Sequence, residues 1–553
     1  MSENPTSEDI DQLAADYWEA LMVAEPTWRH LQGELTHVGD FESAGRQAED
    51  EHVTTFRDFA ERAAAVPTDG LSDDQRVTRE TLIFEAGTRA DLLEARLAEH
   101  AADPVFGMQA SLPVVAGMLG VPDATVAEAM LTKAEGVGRY FTELADRQRE
   151  GVAAGRVSPA FAVQATIEQL EALLATPVAE DPVLTAINLP EEVDAEDWRR
   201  RFAQVLEEQV RPGLTAYRDV LRDEVLPVAR PDDRVGLTFL PGGDDAYART
   251  LRFFTTTDKT PHEIHQIGLD QIAALADEYR ALGPEVAGTD DLQGIFDAMR
   301  TDPALHFKTG EELVEQSRVA MARAWEAMPD WFETLPKAPC AVEGVTTGAK
   351  AYYFPPAADG SRGGTFFINI DDPTSWGIFE LESLAFHEGI PGHHLQLTIA
   401  SELPESVPAI RRYSENAAYA EGWGLYTERL ADEMGLYSSQ VQRLGMLSAD
   451  SLRACRLVVD TGLHALGWSR QQAIDYMVEN SPMTEGICRP EVDRYIVSPG
   501  QACSYMIGRL EIQRMRAEAE SREGFEIKKF HSAVLDGGAL PLNVLDQVVR
   551  ARV

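Results

Sequence analysis

Apolar residues recur every three or four positions over long stretches of this chain, and that spacing most narrows what it can fold into. Segments 9–22 (DIDQLAADYWEALM), 88–102 (TRADLLEARLAEHAA) and 196–225 each place a hydrophobic stripe along one side of an α-helix. Helix is expected to dominate the first 340 residues. Pro-Gly clusters at 240–245 (LPGGDD) and 354–364 (FPPAADGSRGG) punctuate the pattern without a Ser/Gly linker, and no repeat of about 20–50 residues is present. After the second cluster, TFFINI (365–370) is β-branched and aromatic between turn signals, and reads as a strand. The expected fold is mainly α: a large helical, two-lobed body with a small antiparallel sheet beside the active-site cleft. The 553 residues then form one unit, 1–553, with helical lobes over 1–340, a catalytic core over 345–510 and a C-terminal helical segment over 511–553.

Charge excludes whole classes of partner. There are 92 Asp and Glu against 49 Lys and Arg, a net charge of −43, and no basic tract. Phosphate backbones are held by clustered Lys and Arg, so no nucleic acid is expected, and anionic membrane surfaces are equally poor partners. The acids are spread along the chain and read as a solvated coat. The 4 cysteines, at 340, 455, 488 and 503, have neither zinc-knuckle spacing nor the density of a disulfide scaffold, and read as reduced, mostly buried thiols. The first residues show no basic segment followed by an apolar run, and no apolar stretch of about 18 residues follows. A cytoplasmic protein is expected.

Histidine is scarce, with 12 in the chain, so its clusters are informative. His262 and His265 flank Glu263 behind Thr260-Pro261, which is a helix start: Thr as N-cap, Pro in the first position, and Glu reaching back to the cap. The second cluster is His387-Glu388-Gly389-Ile390-Pro391-Gly392-His393-His394, after the apolar-periodic IFELESLAF. In the HExxH motif, two histidines one turn apart bind zinc and the Glu faces the attacking water. Here the fifth-position His is absent. The Pro391 ring would clash with the carbonyl of residue 387, so the helix must be distorted there.

The second ligand is then His393 or His394, and His393 is preferred because a two-residue expansion is the smaller deformation. The remaining histidine would contact substrate or the groups that support the ligands. A third ligand is sought on a facing helix, and AYAEGWGLYTERL supplies Glu421 between Ala420 and Gly422, small residues that permit close approach. Glu415 and Glu428 read as surface acids. Two imidazoles and one carboxylate suit one Zn²⁺ ion and leave a fourth position for water.

Taken in order, HEGIPGHHLQ, AYAEGWGLYTERL, RYIVSPGQACSYMIG (494–508) and YYFPPAADGSRGGTFFINIDDP (352–373) make the chain resemble the bacterial family called domain of unknown function 885 over nearly its whole length. The resemblance implies a zincin with a glutamate third ligand, similar to the helical clamshells of thimet oligopeptidase and angiotensin-converting enzyme. The lengthened HExxxH of dipeptidyl peptidase III is a precedent for the unusual spacing. It also implies that TFFINI is an edge along which an extended peptide lies, with Asn369 adding a contact. Tyrosines of the last motif would cover the scissile carbonyl, Tyr505 as oxyanion donor with Tyr495 and Gln501 nearby. Arg362 would bind a substrate carboxylate.

The function expected on these grounds is a zinc-dependent hydrolase of small peptides, with Glu388 as general base. The alternatives are a metal-dependent amidohydrolase of a small metabolite, or an inactive binding protein on the same fold. The substrate is a small peptide or amide, and a homodimer is compatible with the sequence.

Overall fold

The computed structural model describes residues 9–100, 102–356, 362–414 and 416–553. They are mainly helical and carry one three-stranded sheet. The chain divides into two compact units: the first comprises 1–66, 85–249 and 463–471, the second 67–84, 250–462 and 472–553. Among the described residues no helix is long and apolar enough to cross a membrane.

In the first unit, α1 (Met108–Ala116) and α2 (Ala124–Ala154) pack with a helical run that starts at Ala195 around a core including Phe141, Trp198, Phe202 and Tyr217. The helix expected over 196–225 is continuous but contains two π turns, at Leu206–Val210 and Leu221–Val225. Pro212, just after the first, withdraws a backbone N–H from the ladder. The helix expected over 9–22 is present as Ile10–Ala24. That over 88–102 ends early: the helix stops at Glu94, Arg96 turns left-handed at φ 56°, and a 3₁₀ turn follows over Leu97–Glu99. Residue 101 lies outside the described residues.

The second unit holds both histidine clusters. Its α3 (Pro261–Val286) begins as the sequence specifies, with the Thr260 hydroxyl accepting from Glu263 N–H and the Glu263 carboxylate accepting from Thr260 N–H at 2.8 Å. The next elements are α4 (Gly310–Trp331) and strands β1 (Cys340–Val345), β2 (Ala351–Phe354) and β3 (Gly364–Asn369). The strand order is β1-β3-β2, with β1 parallel and β2 antiparallel to β3.

This corrects two expectations. The sheet is mixed, not antiparallel, and TFFINI is its central strand, not an edge. Thr365, Phe366 and Ile368 are buried, and the most apolar strand takes the position covered on both sides. Of the second Pro-Gly cluster, residues 357–361 lie outside the described residues.

A short helix, α5 (Glu380–Leu384), runs into a π turn over Ala385–Gly389, and α6 (His393–Ser401) follows. They pack against α7 (Ala417–Glu433), capped by the Asn416 side chain. Then come α8 (Gln440–His464), α9 (Glu485–Val497), α10 (Ser504–Glu520) and α11 (Ile527–Leu535). Helices α7 and α10 touch backbone to backbone: a Cβ on Gly508 would lie 2.0 Å from the Ala418 carbonyl oxygen, and one on Gly422 would lie 2.5 Å from Gly508. The core of this unit runs through Phe366, Phe386, Trp423, Tyr426, Met515 and Phe530. Cys455, Cys488 and Cys503 are buried, and Cys340 is partly exposed.

The buried His531 is held neutral. His531 uses both ring nitrogens, at 2.9 Å from the Trp331 carbonyl and 3.0 Å from the Tyr426 hydroxyl. A carbonyl only accepts, so Nδ1 carries the proton and Nε2 accepts from Tyr426. Burial pushes this imidazole down to about 3. Unfolding restores a value of about 6.5, so between those values the unfolded state binds more protons and stability falls as pH drops, by about 1.4 kcal/mol per pH unit for each such group. His531→Gln is expected to lower stability at pH 7 while flattening the decline between pH 6.5 and 4.5 in urea titrations. An unchanged slope would show that His531 is not a neutral group of the fold.

Candidate metal centre

Pro391 breaks the helix as its sequence position requires. The π turn ends at Gly389, Ile390 is extended at φ −117° and ψ 129°, the Ile390–Pro391 peptide is cis, and a new helix starts at His393. Gly392 fits because a Cβ there would lie 1.8 Å from the His387 carbonyl oxygen. So the two histidines sit on separate helical pieces, with their rings perpendicular and the centroids 4.8 Å apart.

Helix α7 closes the site. Glu421 Oε2 lies 3.4 Å from His387 Nε2 and 3.5 Å from His393 Nε2. One ligand atom from each of His387, His393 and Glu421 falls within 4.8 Å of the others. A tetrahedral ion bonded at about 2.0–2.2 Å holds neighbouring ligand atoms roughly 3.3–3.6 Å apart, so the two measured separations fit. The donor set, two imidazoles and a carboxylate, is that of a catalytic zinc site.

Glu428, read from the sequence as a surface acid, is fully buried. Its carboxylate accepts from His387 Nδ1 at 2.8 Å and from the Ser383 hydroxyl. This partner fixes the ring's orientation: Nδ1 donates to Glu428 and Nε2 faces Glu421. Burial disfavours a charged His387, but Glu421 and Glu428 more than offset this and lift it to about 9. Glu421, although burial opposes its charge, is held well below the ordinary carboxylate range by His387 and His393.

Three further α7 contacts set the approach. A Cβ on Gly424 would lie 2.7 Å from His387 Cε1, the Thr427 hydroxyl donates to the Phe386 carbonyl at 3.1 Å, and Trp423 Nε1 donates to the Pro391 carbonyl at 3.0 Å. The signal for Glu428 was in the spacing, because seven residues after Glu421 it lies about 20° away around the helix. Glu415 lies outside the described residues.

The other expected residues separate into groups. Glu388 follows His387 in the π turn, half-buried, and its carboxylate makes no hydrogen bond among the described residues. His394 turns the other way: Nε2 donates to the Ala338 carbonyl at 3.0 Å and Nδ1 accepts from the Tyr353 hydroxyl at 2.8 Å. Both nitrogens are committed and burial pushes it down to about 4, so it has no lone pair for a metal or a substrate. Asn369 braces a loop, donating to the Gly348 carbonyl at 3.1 Å and accepting from Asp371 N–H at 3.0 Å.

Arg362 is exposed, spans the Gly363 and Pro355 carbonyls at 2.9 and 2.6 Å, and lies over the Phe354 ring. Tyr495 is buried, its hydroxyl between Glu491 and Arg456. Gln501 accepts from Arg494 at 2.8 Å. Tyr505 lies one turn before Gly508, whose backbone meets Gly422 next to Glu421. The Arg456 guanidinium sits 4.5 Å from its ring centroid, and its hydroxyl makes no hydrogen bond among the described residues.

The family described as "Bacterial protein of unknown function (DUF885)" matches residues 26–549. The chain belongs to the DUF885 family. No curated protein matches the sequence. Among solved structures, a "putative lipoprotein" from Colwellia psychrerythraea is 24% identical over 98% of this chain and 98% of its own, with a TM-score of 0.89. A second protein, from Shewanella oneidensis and described as a "putative lipoprotein of unknown function", is 18% identical over 98% of this chain and 99% of its own, with a TM-score of 0.78. These likenesses show a common fold for this DUF885 chain. They also overturn one expectation: a cytoplasmic location does not stand when both of these solved structures are described as lipoproteins.

Two substitutions test the support given to His387. Glu428→Gln is expected to weaken zinc binding by about 10–100-fold with the fold retained, as loss of an outer-shell carboxylate does. Gly424→Ala, which forces a methyl group into the ring, is expected to weaken it at least as much. Zinc affinity measured by competition with a chelating dye decides, and unchanged affinity in both variants would remove Glu428 and Gly424 from the site.

Proposed function

We propose that this chain is a zincin-like, metal-dependent hydrolase of peptide or related amide bonds. The observation that carries the reading is the convergence of His387, His393 and Glu421, with one atom of each within 4.8 Å of the others, beside a Glu388 carboxylate that makes no hydrogen bond among the described residues. Those three residues would hold zinc, whose Lewis acidity makes water nucleophilic near neutral pH and polarises a carbonyl.

The chain's own residues supply the rest. Glu388 takes a proton from the attacking water and passes it to the leaving nitrogen. Glu428 holds His387 through Nδ1, which leaves Nε2 as the nitrogen that would face the metal. The Tyr505 hydroxyl, which makes no hydrogen bond among the described residues, donates to the carbonyl oxygen as negative charge develops there, a contribution typically worth about 10²–10³ in rate. The packing of Arg456 against the ring orients this phenol.

Protein purified without chelator is expected to contain about one zinc per chain and to cleave members of a short-peptide library. Glu388→Gln is expected to keep the metal and lose activity by at least about 10³-fold, and Tyr505→Phe by about 10²-fold. His387→Ala is expected to lose the metal. Full turnover in Glu388→Gln would overturn the base, and folded protein with no metal affinity would overturn the whole reading.

A further inference from the structure

Although the chain has a net charge of −43, Arg453 is half-buried and makes no ion pair among the described residues. It stands beside Tyr505, the proposed oxyanion donor. Helix α8 carries Asp450, Arg453 and Arg456 at three-residue spacing, so they share one side of the helix, and that side faces α10. Asp450 is taken by Arg509 of α10 and Arg429 of α7. The guanidinium groups of Arg453 and Arg456 lie 5.7 and 4.5 Å from the Tyr505 ring centroid.

The two arginines are not equivalent. Arg456 is committed, its Nε donating to the Tyr495 hydroxyl at 3.0 Å and its Nη2 to Glu491 at 2.8 Å. Glu491 is shared among Arg456, the Tyr495 hydroxyl and Arg494. Arg453 has one long contact, from Nη1 to the Ala449 carbonyl of its own helix at 3.4 Å. Its Nε is shielded from water with no hydrogen-bond partner among the described residues. An arginine serving only solubility would carry its head out into water. This one is folded back against an aromatic ring, and the two acids of the same face are claimed by other arginines.

A guanidinium presents paired N–H donors that match a carboxylate. Reach decides which carboxylate. With the Tyr505 hydroxyl on the scissile carbonyl, a group held by Arg453 lies one or two residues further along the substrate, at about 3.3–3.6 Å per residue. A peptide of any sequence has a carboxylate so close to the cut only when the cut is near its C-terminus.

We propose that Arg453 receives the free C-terminal carboxylate of the substrate, so that one or two residues are removed from the end of a short peptide. This rests on the hydrolase reading and adds which end of the substrate is recognised. An acidic side chain would offer the same chemistry, and the test separates the two sources.

N-acetylated peptides of neutral residues are compared as free acid and as C-terminal amide with the zinc-loaded protein. The acid is expected to have the higher kcat/KM by about 10–100-fold, the range for a charge-assisted hydrogen-bonded pair, with cleavage at its last or second-last bond. Arg453→Gln is expected to remove that preference and Arg453→Lys to restore part of it, a pattern that lost packing alone would not give. Equal cleavage of acid and amide by the unaltered protein would overturn the subsite and leave the hydrolase reading standing. An amide ending in Glu that is cleaved as well as the free acid would overturn the C-terminal assignment in favour of a side-chain carboxylate. If no peptide is cleaved, the hydrolase reading falls, and calorimetric binding of acid and amide to the Glu388→Gln protein still decides the subsite, with equal affinities overturning it. The comparison on the unaltered protein stands even where an Arg453 variant fails to fold.

Discussion

A buried imidazole and a buried carboxylate 2.8 Å apart hold the second unit's architecture in place. His387 and Glu428 are both withdrawn from water, and neither could be buried alone without losing its charge or several kcal/mol. Satisfying each other requires the π turn of Ala385–Gly389 to lie directly on α7. Gly424 leaves room for the ring, Thr427 takes up the Phe386 carbonyl, and Ser383 takes the second oxygen of Glu428. Once those contacts are made, Glu421, two turns earlier on the same face, has little choice but to point at Nε2. The polar pair thus sets the register of two helices whose apolar sides the core would accept in several alignments.

What the sequence disclosed follows the range of the interactions involved. Amphipathic helices and the capping box at Thr260 were readable because they depend on residues a few positions apart. TFFINI was readable as a strand, but its central position was not, because pairing to Cys340–Val345 on one side and Ala351–Phe354 on the other is decided across the chain. Glu428 looked like a solvated acid because its partner is 41 residues away. The choice between His393 and His394 could be weighed by local deformation, but what separates them is the Ala338 carbonyl and the Tyr353 hydroxyl, which claim both nitrogens of His394. Gly364 belongs to the same arrangement, since a Cβ there would lie 2.3 Å from that hydroxyl and 2.6 Å from His394 Nδ1.

The broken helix changes how the proposed metal ligands are supported. In a regular HExxH helix, both histidines ride on one rigid backbone and their spacing is local. Here His387 ends one piece and His393 begins another, joined by Ile390-Pro391-Gly392. Their separation is set by tertiary contacts: Trp423 holding the Pro391 carbonyl, and Gly392 lying against the His387 carbonyl. The two histidines are also held unequally, because His387 is anchored through Nδ1 by Glu428, whereas His393 Nδ1 is buried with no hydrogen-bond partner among the described residues. His387 is the fixed point and His393 the adjustable one. On the proposed function, the packing of α7 would enter metal affinity twice, once through Glu421 as a ligand and once through the tryptophan two residues later that keeps the second histidine in range.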